Sequence, residues 1–176
     1  MKRKMGIGII FLLLLLSGAL SGCFDLTEQM EPDEVSVVRV IDGDTFEARW
    51  SNGTSENVRI LGLDTPETKA QEDLEEWNGI DNGTWLKHWG YKATNFTEAW
   101  IGNKVTLEYD ENEGKRGYYG RVLAYVELSN GTDLGGELLK RGLARAYTEG
   151  DCSRESKYVD YQEQAMEDEV GIWSIN

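Results

Sequence analysis

Residues 35–63 hold three short strand-forming runs, the second and third alternating apolar and polar side chains, each closed by a turn sequence. "VSVVRVI" (35–41) is β-branched and ends in "DGDT", "TFEARW" (45–50) turns back at "SNGTS", and "NVRILGL" (57–63) alternates again. A period of two puts successive side chains on opposite faces, so each run has one face to bury. Turns this short make consecutive runs neighbours, and the segment is a three-stranded meander.

The remaining segments have to cover that meander. "TKAQEDLEEWNGIDNGTW" (68–85) is acidic, rich in Gly and Asn and poorly periodic, which predicts a long loop with one helical turn. Trp89, Ala93, Phe96 and Trp100 share one helical face, and Gly102-Asn103 stops that helix. "KVTLEYD" (104–110) and "RVLAYVEL" (121–128) are two further strands, joined by the flexible turn region 111–120. Leu134, Leu138, Leu139 and Leu143 lie at helical spacing, and a last helix from about Ser153 carries Tyr158, Tyr161 and Ala165 on one face. The expected fold is α+β: a five-stranded OB-type β-barrel with three α-helices over residues 35–176. No repeat and no second domain is visible in the sequence.

Residues 1–22 are expected to lie outside that fold. Lys2, Arg3 and Lys4 precede the apolar run "GIGIIFLLLLL" (6–16), and small residues follow, the layout of a secretory signal. "LSGC" (20–23) resembles a lipobox, which predicts lipidation of Cys23; plain cleavage and a retained anchor helix are the alternatives. Residues 23–34 then form an acidic tether, and the domain sits on the extracellular face of the membrane or is secreted. With Cys23 lipidated, Cys152 is a lone thiol. Four sequons begin at Asn52, Asn82, Asn95 and Asn130; they suit a glycosylated surface, but Asn-Gly is equally a favoured turn.

The polar groups at the strand ends suggest a chemistry. Cleaving a phosphodiester needs a positive centre near its non-bridging oxygens, an activated water and stabilisation of the charge that develops. Asp44 and Asp64 lie at strand ends of one meander; if those ends adjoin, their carboxylates converge as hard oxygen ligands suited to Ca²⁺. Glu67 is placed to hold or deprotonate a water nearby. Arg59 and Arg121 offer planar forks matched to phosphate oxygens. Each group has a plainer reading: a polar turn at 42–45, a helix N-cap with Pro66 behind it, two surface arginines.

Order decides between these readings. "IDGDT" (41–45), "RILGLDTPET" (59–68), "YGRVLAYV" (119–126), "RGLARAY" (141–147) and "GIWS" (171–174) follow one another as in the staphylococcal nuclease (thermonuclease) family, which this chain resembles from about Val35 to Ser174. The resemblance implies Ca²⁺ bound by Asp44, Asp64 and the carbonyl of Thr65, with Glu67 as general base. It also implies Arg59 and Arg121 on the scissile phosphate, Tyr119 as a phosphate contact and Tyr147 packed near the base. The implied activity is cleavage of DNA and RNA to 3′-phosphate ends; the chain is expected to be a monomer.

Three features depart from the family pattern. The loop after Glu67 is longer and carries Glu72, Asp73, Glu75, Glu76 and Asp81, where the family is usually basic. Tyr118 stands where a phosphate-contacting lysine often appears, and Glu149 replaces the second of two base-packing tyrosines. Two other function classes remain: a non-catalytic OB-fold nucleic-acid-binding module and an acidic calcium-binding surface protein. Retention of Asp44, Arg59, Asp64, Glu67 and Arg121 argues against the first, and the two arginines would have no purpose in the second.

Charge sets the substrate problem. Removing residues 1–22 takes away three basic residues and no acidic ones, so the net charge falls from −14 to −17. Such a surface repels a polyanion at long range, leaving attraction to Ca²⁺, Arg59, Arg121 and the neighbouring Lys115 and Arg116. Substrate affinity is therefore expected to be weak at low salt and strictly dependent on divalent ions. A salt titration in millimolar Ca²⁺ that showed the steep affinity loss of a many-phosphate binder would contradict this.

Overall fold

The computed structural model describes residues 30–69, 74–77, 79–100 and 102–174. The leader, Cys23, Glu72 and Asp73 fall outside the described residues. Five strands close a barrel in the order β1 (Asp33–Val40), β2 (Thr45–Arg49), β3 (Ser55–Ile60), β6 (Val122–Leu128) and β5 (Lys104–Glu108), with β5 pairing back to β1. The β3–β6 pair is parallel and the other four are antiparallel. A separate antiparallel pair joins β4 (Leu63–Asp64) to β7 (Arg145–Ala146). Three helices, α1 (Gly83–Glu98), α2 (Leu134–Lys140) and α3 (Glu155–Glu167), pack outside. The expected OB-type α+β barrel is therefore present, with the β4–β7 pair added.

Alternation explains what fills the barrel. Val35, Val37 and Val40 from β1, Phe46 and Ala48 from β2, Val58 and Ile60 from β3, and Leu107, Ala124 and Val126 are all buried in one cluster. A register shift between Val37 and Arg39 changes which residues of β1 face inward, so Val40 follows Val37 into the core. β1 also takes in Asp33 and Glu34, opposite Leu107 and Thr106, two residues earlier than the apolar pattern begins.

α1 starts at Gly83, inside the segment expected to be loop. Asn82 caps it, its side chain accepting from the Trp85 N–H at 3.0 Å. Its buried positions are Leu86, Gly90, Ala93 and Thr97, while Trp89, Phe96 and Trp100 of the expected stripe are only partly buried beside the core. Small residues hold the contact line because loop backbone lies directly beneath it. The acidic segment is anchored as well: Trp77 is fully buried in a second cluster with Ile80, Leu86, Ala165, Ile172 and Trp173. α2 stops at Lys140, short of Leu143, where Gly142 takes a positive φ of 58°. Three of the four sequon asparagines serve the local backbone: Asn82 as a cap, Asn52 accepting from Thr54 and Asn130 accepting from Thr132. Among the described residues no helix is long and apolar enough to cross a membrane.

Asp110 ties the end of β5 to the entry of α3. Its carboxylate accepts from Tyr125 Oη at 2.7 Å and from the Ser153 N–H at 2.8 Å, and from the Asn112 and Glu113 N–H groups of its own turn. Burial alone would raise its pKa, but donors from Ser153 and Tyr125 outweigh that and bring the carboxyl down to about 2. A depressed carboxylate pKa contributes stability above its unfolded value of 3.8, and that contribution is lost as pH falls towards 2. Asp110→Ala leaves buried donors unpaired and is expected to cost about 3 kcal/mol at neutral pH. Urea denaturation of parent and variant should show the gap closing as pH drops through the same window.

Candidate active site

The barrel register brings the acidic groups together. Thr45 on β2 pairs with Arg59 on β3, so Asp44, one residue before β2, lies beside the Arg59 side chain. The Ile60 N–H donates to the Asp44 carbonyl at 2.8 Å and fixes that loop to β3. The chain then turns through Leu61-Gly62 into β4, which carries Asp64.

One guanidinium joins the two carboxylates. Arg59 Nη1 donates to Asp44 Oδ1 and Nη2 to Asp64 Oδ1, both at 2.6 Å. Asp44 Oδ1 also accepts from Thr45 Oγ1 at 2.7 Å, and its Oδ2 accepts from the Thr65 N–H at 2.9 Å and Thr65 Oγ1 at 3.2 Å. The second oxygen of Asp64 accepts from Arg145 Nη2 at 3.2 Å. Burial raises the pKa of Asp44 above the ordinary carboxylate range despite Arg59, and the nearby Asp42 adds to the rise. Burial alone would favour neutral Arg59, but Asp44 and Asp64 outweigh it and hold the guanidinium firmly protonated.

Asp44, Asp64 and Arg59 together carry a net single negative charge, and Asp42 adds another. Asp42 Oδ1 is buried with no hydrogen-bond partner. A buried, under-compensated group of carboxylate oxygens calls for a hard cation, so the donor chemistry here fits Ca²⁺ or a like ion. The protein does not close a cage by itself: among the described residues no three His, Cys, Asp or Glu side chains are grouped to hold a metal.

A cavity of about 230 Å³ opens beside this cluster. Arg59 and Arg121 line it together with Tyr118, Tyr119, Leu123 and Tyr147. Arg121 stands at the entry to β6, its guanidinium 5.8 Å from the Tyr119 ring centroid. Tyr118 and Tyr119 are 96% and 80% exposed, so both rings are presented to solvent. Tyr147 is positioned by its N–H donating to the Gly62 carbonyl at 3.1 Å.

Glu67 is exposed between buried Pro66 and Thr68, with Thr65 buried too. α1 supports this segment from below. The Gly43 carbonyl accepts from Thr97 Oγ1 at 2.6 Å, and a Cβ on Gly90 would lie 2.3 Å from the Pro66 carbonyl oxygen. The structure thus brings Asp44, Arg59, Asp64 and Thr65 into one network and sets Arg121, Tyr119 and Tyr147 around the adjoining cavity. Two participants were not singled out from sequence. Asp42 read as a turn residue, although "IDGDT" contains it; Arg145 read as part of "RGLARAY", where a cation inside an apolar run was the available signal.

A family model described as staphylococcal nuclease homologue matches residues 57–175. The thermonuclease of Staphylococcus hyicus is 38% identical over 141 residues, covering 78% of this chain and 74% of the relative. Endonuclease YncB of Bacillus subtilis is 36% identical over 145 residues, covering 80% of this chain and 61% of the relative. An uncharacterized protein of Methanocaldococcus jannaschii is 37% identical over 147 residues, covering 78% and 70% respectively. A small barrel with acidic and arginine side chains at its mouth is the class that fold and site define. The chain belongs to the staphylococcal nuclease family.

The contact between α1 and Pro66 is testable with one substitution at two places. Gly90→Ala pushes a methyl into a backbone carbonyl and is expected to destabilise by about 2 kcal/mol. Gly83→Ala, whose new Cβ would meet only Leu74 Cδ2 at 3.7 Å, is expected to leave stability unchanged or raised. Urea midpoints of equal size and sign for the two variants would show that the close approach at Gly90 does not matter.

Proposed function

We propose that this protein is a Ca²⁺-dependent nuclease that hydrolyses phosphodiester bonds of DNA and RNA and leaves 3′-phosphate ends. One observation carries the reading: Arg59 draws Asp44 and Asp64 together at the edge of the cavity that Arg121 also lines, within a chain of this family. Asp44, Asp64 and the Thr65 carbonyl would hold the ion, with Asp42 adding charge behind them. Bound Ca²⁺ supplies a positive centre for the phosphate oxygens.

The side chains then divide the work. Arg59 and Arg121 clamp the scissile phosphate and stabilise its charge in the transition state. Arg59 also holds the two aspartates in place, so its loss disturbs both functions. Glu67 orients the attacking water and accepts its proton. Tyr119 contacts phosphate, and Tyr147 packs against the adjoining base. The acidic surface leaves this local group to provide the attraction, consistent with divalent dependence.

The proposal extends to placement: a leader at 1–22 delivers the domain outside the cell, and lipid on Cys23 tethers it through residues 23–34. Loss of metabolic palmitate labelling in Cys23→Ser, with release into the medium, is the expected behaviour; an unlabelled parent would remove the lipid anchor.

The activity is tested by incubating the full chain with denatured DNA and with RNA, in Ca²⁺ and then in chelator. Cleavage in Ca²⁺ only is expected, with fragments that prime a polymerase only after phosphatase treatment. No cleavage under any condition would leave the non-catalytic binding module as the better reading. Glu67→Gln is expected to lower kcat roughly 10²–10⁴-fold with little change in KM. Arg121→Met is expected to lower kcat by roughly 10²–10³-fold. Unchanged turnover in either variant would remove that residue from the catalytic set.

A further inference from the structure

Arg145 is buried and placed against the proposed metal edge by the short β4–β7 pair, where it lies opposite Asp64. Its side chain is only 7% exposed, so it is shielded from substrate. It gathers three carboxylates. Nη2 donates both to Asp64 Oδ2 at 3.2 Å and to Glu76 Oε2 at 3.0 Å, and Nη1 donates to Glu149 Oε1 at 3.0 Å. Because one nitrogen serves Asp64 and Glu76, those carboxylates are adjacent. The guanidinium lies 5.8 Å from the ring centroids of both Trp77 and Tyr147, and its Nε is buried with no partner.

Glu76 belongs to the acidic segment and Glu149 replaces a family tyrosine, so two of the departures from the family pattern meet on one cation. Trp77, the next residue along the chain, is fully buried and anchors the backbone that carries Glu76. Two further carboxylates on the guanidinium that also holds Asp64 raise a problem. Ca²⁺ takes six to eight oxygens and binds more tightly as carboxylates accumulate. A site filled by Glu76 and Glu149 would keep its ion but have less room for a phosphate.

We propose that Arg145 is a positioning residue that orients Asp64 and withholds Glu76 and Glu149 from the metal, keeping coordination positions open for substrate. This rests on the Ca²⁺ reading above. Its two terminal nitrogens hold the two glutamates where they stand, and the Trp77 and Tyr147 rings limit its movement. The acidic segment is thereby compatible with catalysis, because its Glu76 carboxylate is ion-paired within the protein.

The test is Ca²⁺ binding to the full chain by calorimetry, with kcat measured alongside. Arg145→Met is expected to tighten Ca²⁺ roughly tenfold or more by freeing both glutamates, while kcat falls. Adding Glu76→Gln and Glu149→Gln to Arg145→Met is expected to return the affinity to within about threefold of the parent, because the extra ligands are gone. Arg145→Lys, which retains the charge and three donors, is expected to stay within about threefold of the parent. Arg145 serving only the fold predicts the opposite sign, weaker Ca²⁺ binding in Arg145→Met, and that result overturns the proposal. Should Arg145→Met not fold, Glu76→Gln/Glu149→Gln in the parent decides: a change below about threefold supports withholding, whereas a tenfold loss shows both glutamates already ligating and overturns it. A parent that binds no Ca²⁺ overturns the metal reading and this proposal together; a binding parent with no tightening in Arg145→Met overturns this proposal alone.

Discussion

Arg59 lies between Asp44 and Asp64 with a 2.6 Å contact to each, and the mouth of the barrel is organised around that bridge. Two carboxylates held close in a partly dry pocket repel one another, and burial adds a cost to each charge. A planar guanidinium with two forked donors relieves both penalties at once; a lysine ammonium on the same strand would present a single centre. The bridge also needs the backbone to cooperate. The pairing of Thr45 with Arg59 and the Ile60 N–H on the Asp44 carbonyl place the loop before β2 against β3.

α1 completes the arrangement from the other side. Its line of small buried residues, Gly90, Ala93 and Thr97, lets the backbone at Gly43 and Pro66 come into direct contact with the helix. Thr65 is buried, donates to Asp44 and precedes exposed Glu67, so two neighbouring parts of one tetrapeptide do different work. Packing density at the helix face therefore sets the height of the segment that carries Glu67.

Charge is handled locally throughout. The chain is strongly acidic, and four carboxylates near the site share two cations: Asp44 and Asp64 are held by Arg59, and Asp64, Glu76 and Glu149 by Arg145. Asp42 is the exception, with a buried oxygen that no protein group meets. An excess of negative charge that includes Asp42 and the Asp44–Asp64 pair is what a hard cation would answer. Arg145 beside it holds Glu76 of the acidic insertion in an ion pair.

Much of this was legible in the chain itself. Period-two runs with Asn-Gly and Asp-Gly turns specify the meander, because a strand with one apolar face can satisfy it only by closing over a core. Asp44, Arg59, Asp64 and Arg121 stood out because the stretches that hold them follow one another in the order of the staphylococcal nuclease family. Other features required the folded chain. The contact stripe of α1 could not be identified from hydrophobicity, since Gly90 and Thr97 are buried for closeness rather than for apolar area. Trp77 sat in an acidic, aperiodic stretch with no helical or strand period to mark it as core. The tie between Glu76, Asp64, Arg145 and Glu149 spans up to 81 positions of sequence, and it exists because β4 and β7 pair. Local pattern determines which faces are buried; the charges that share one pocket are decided by strand register, which only the closed barrel sets.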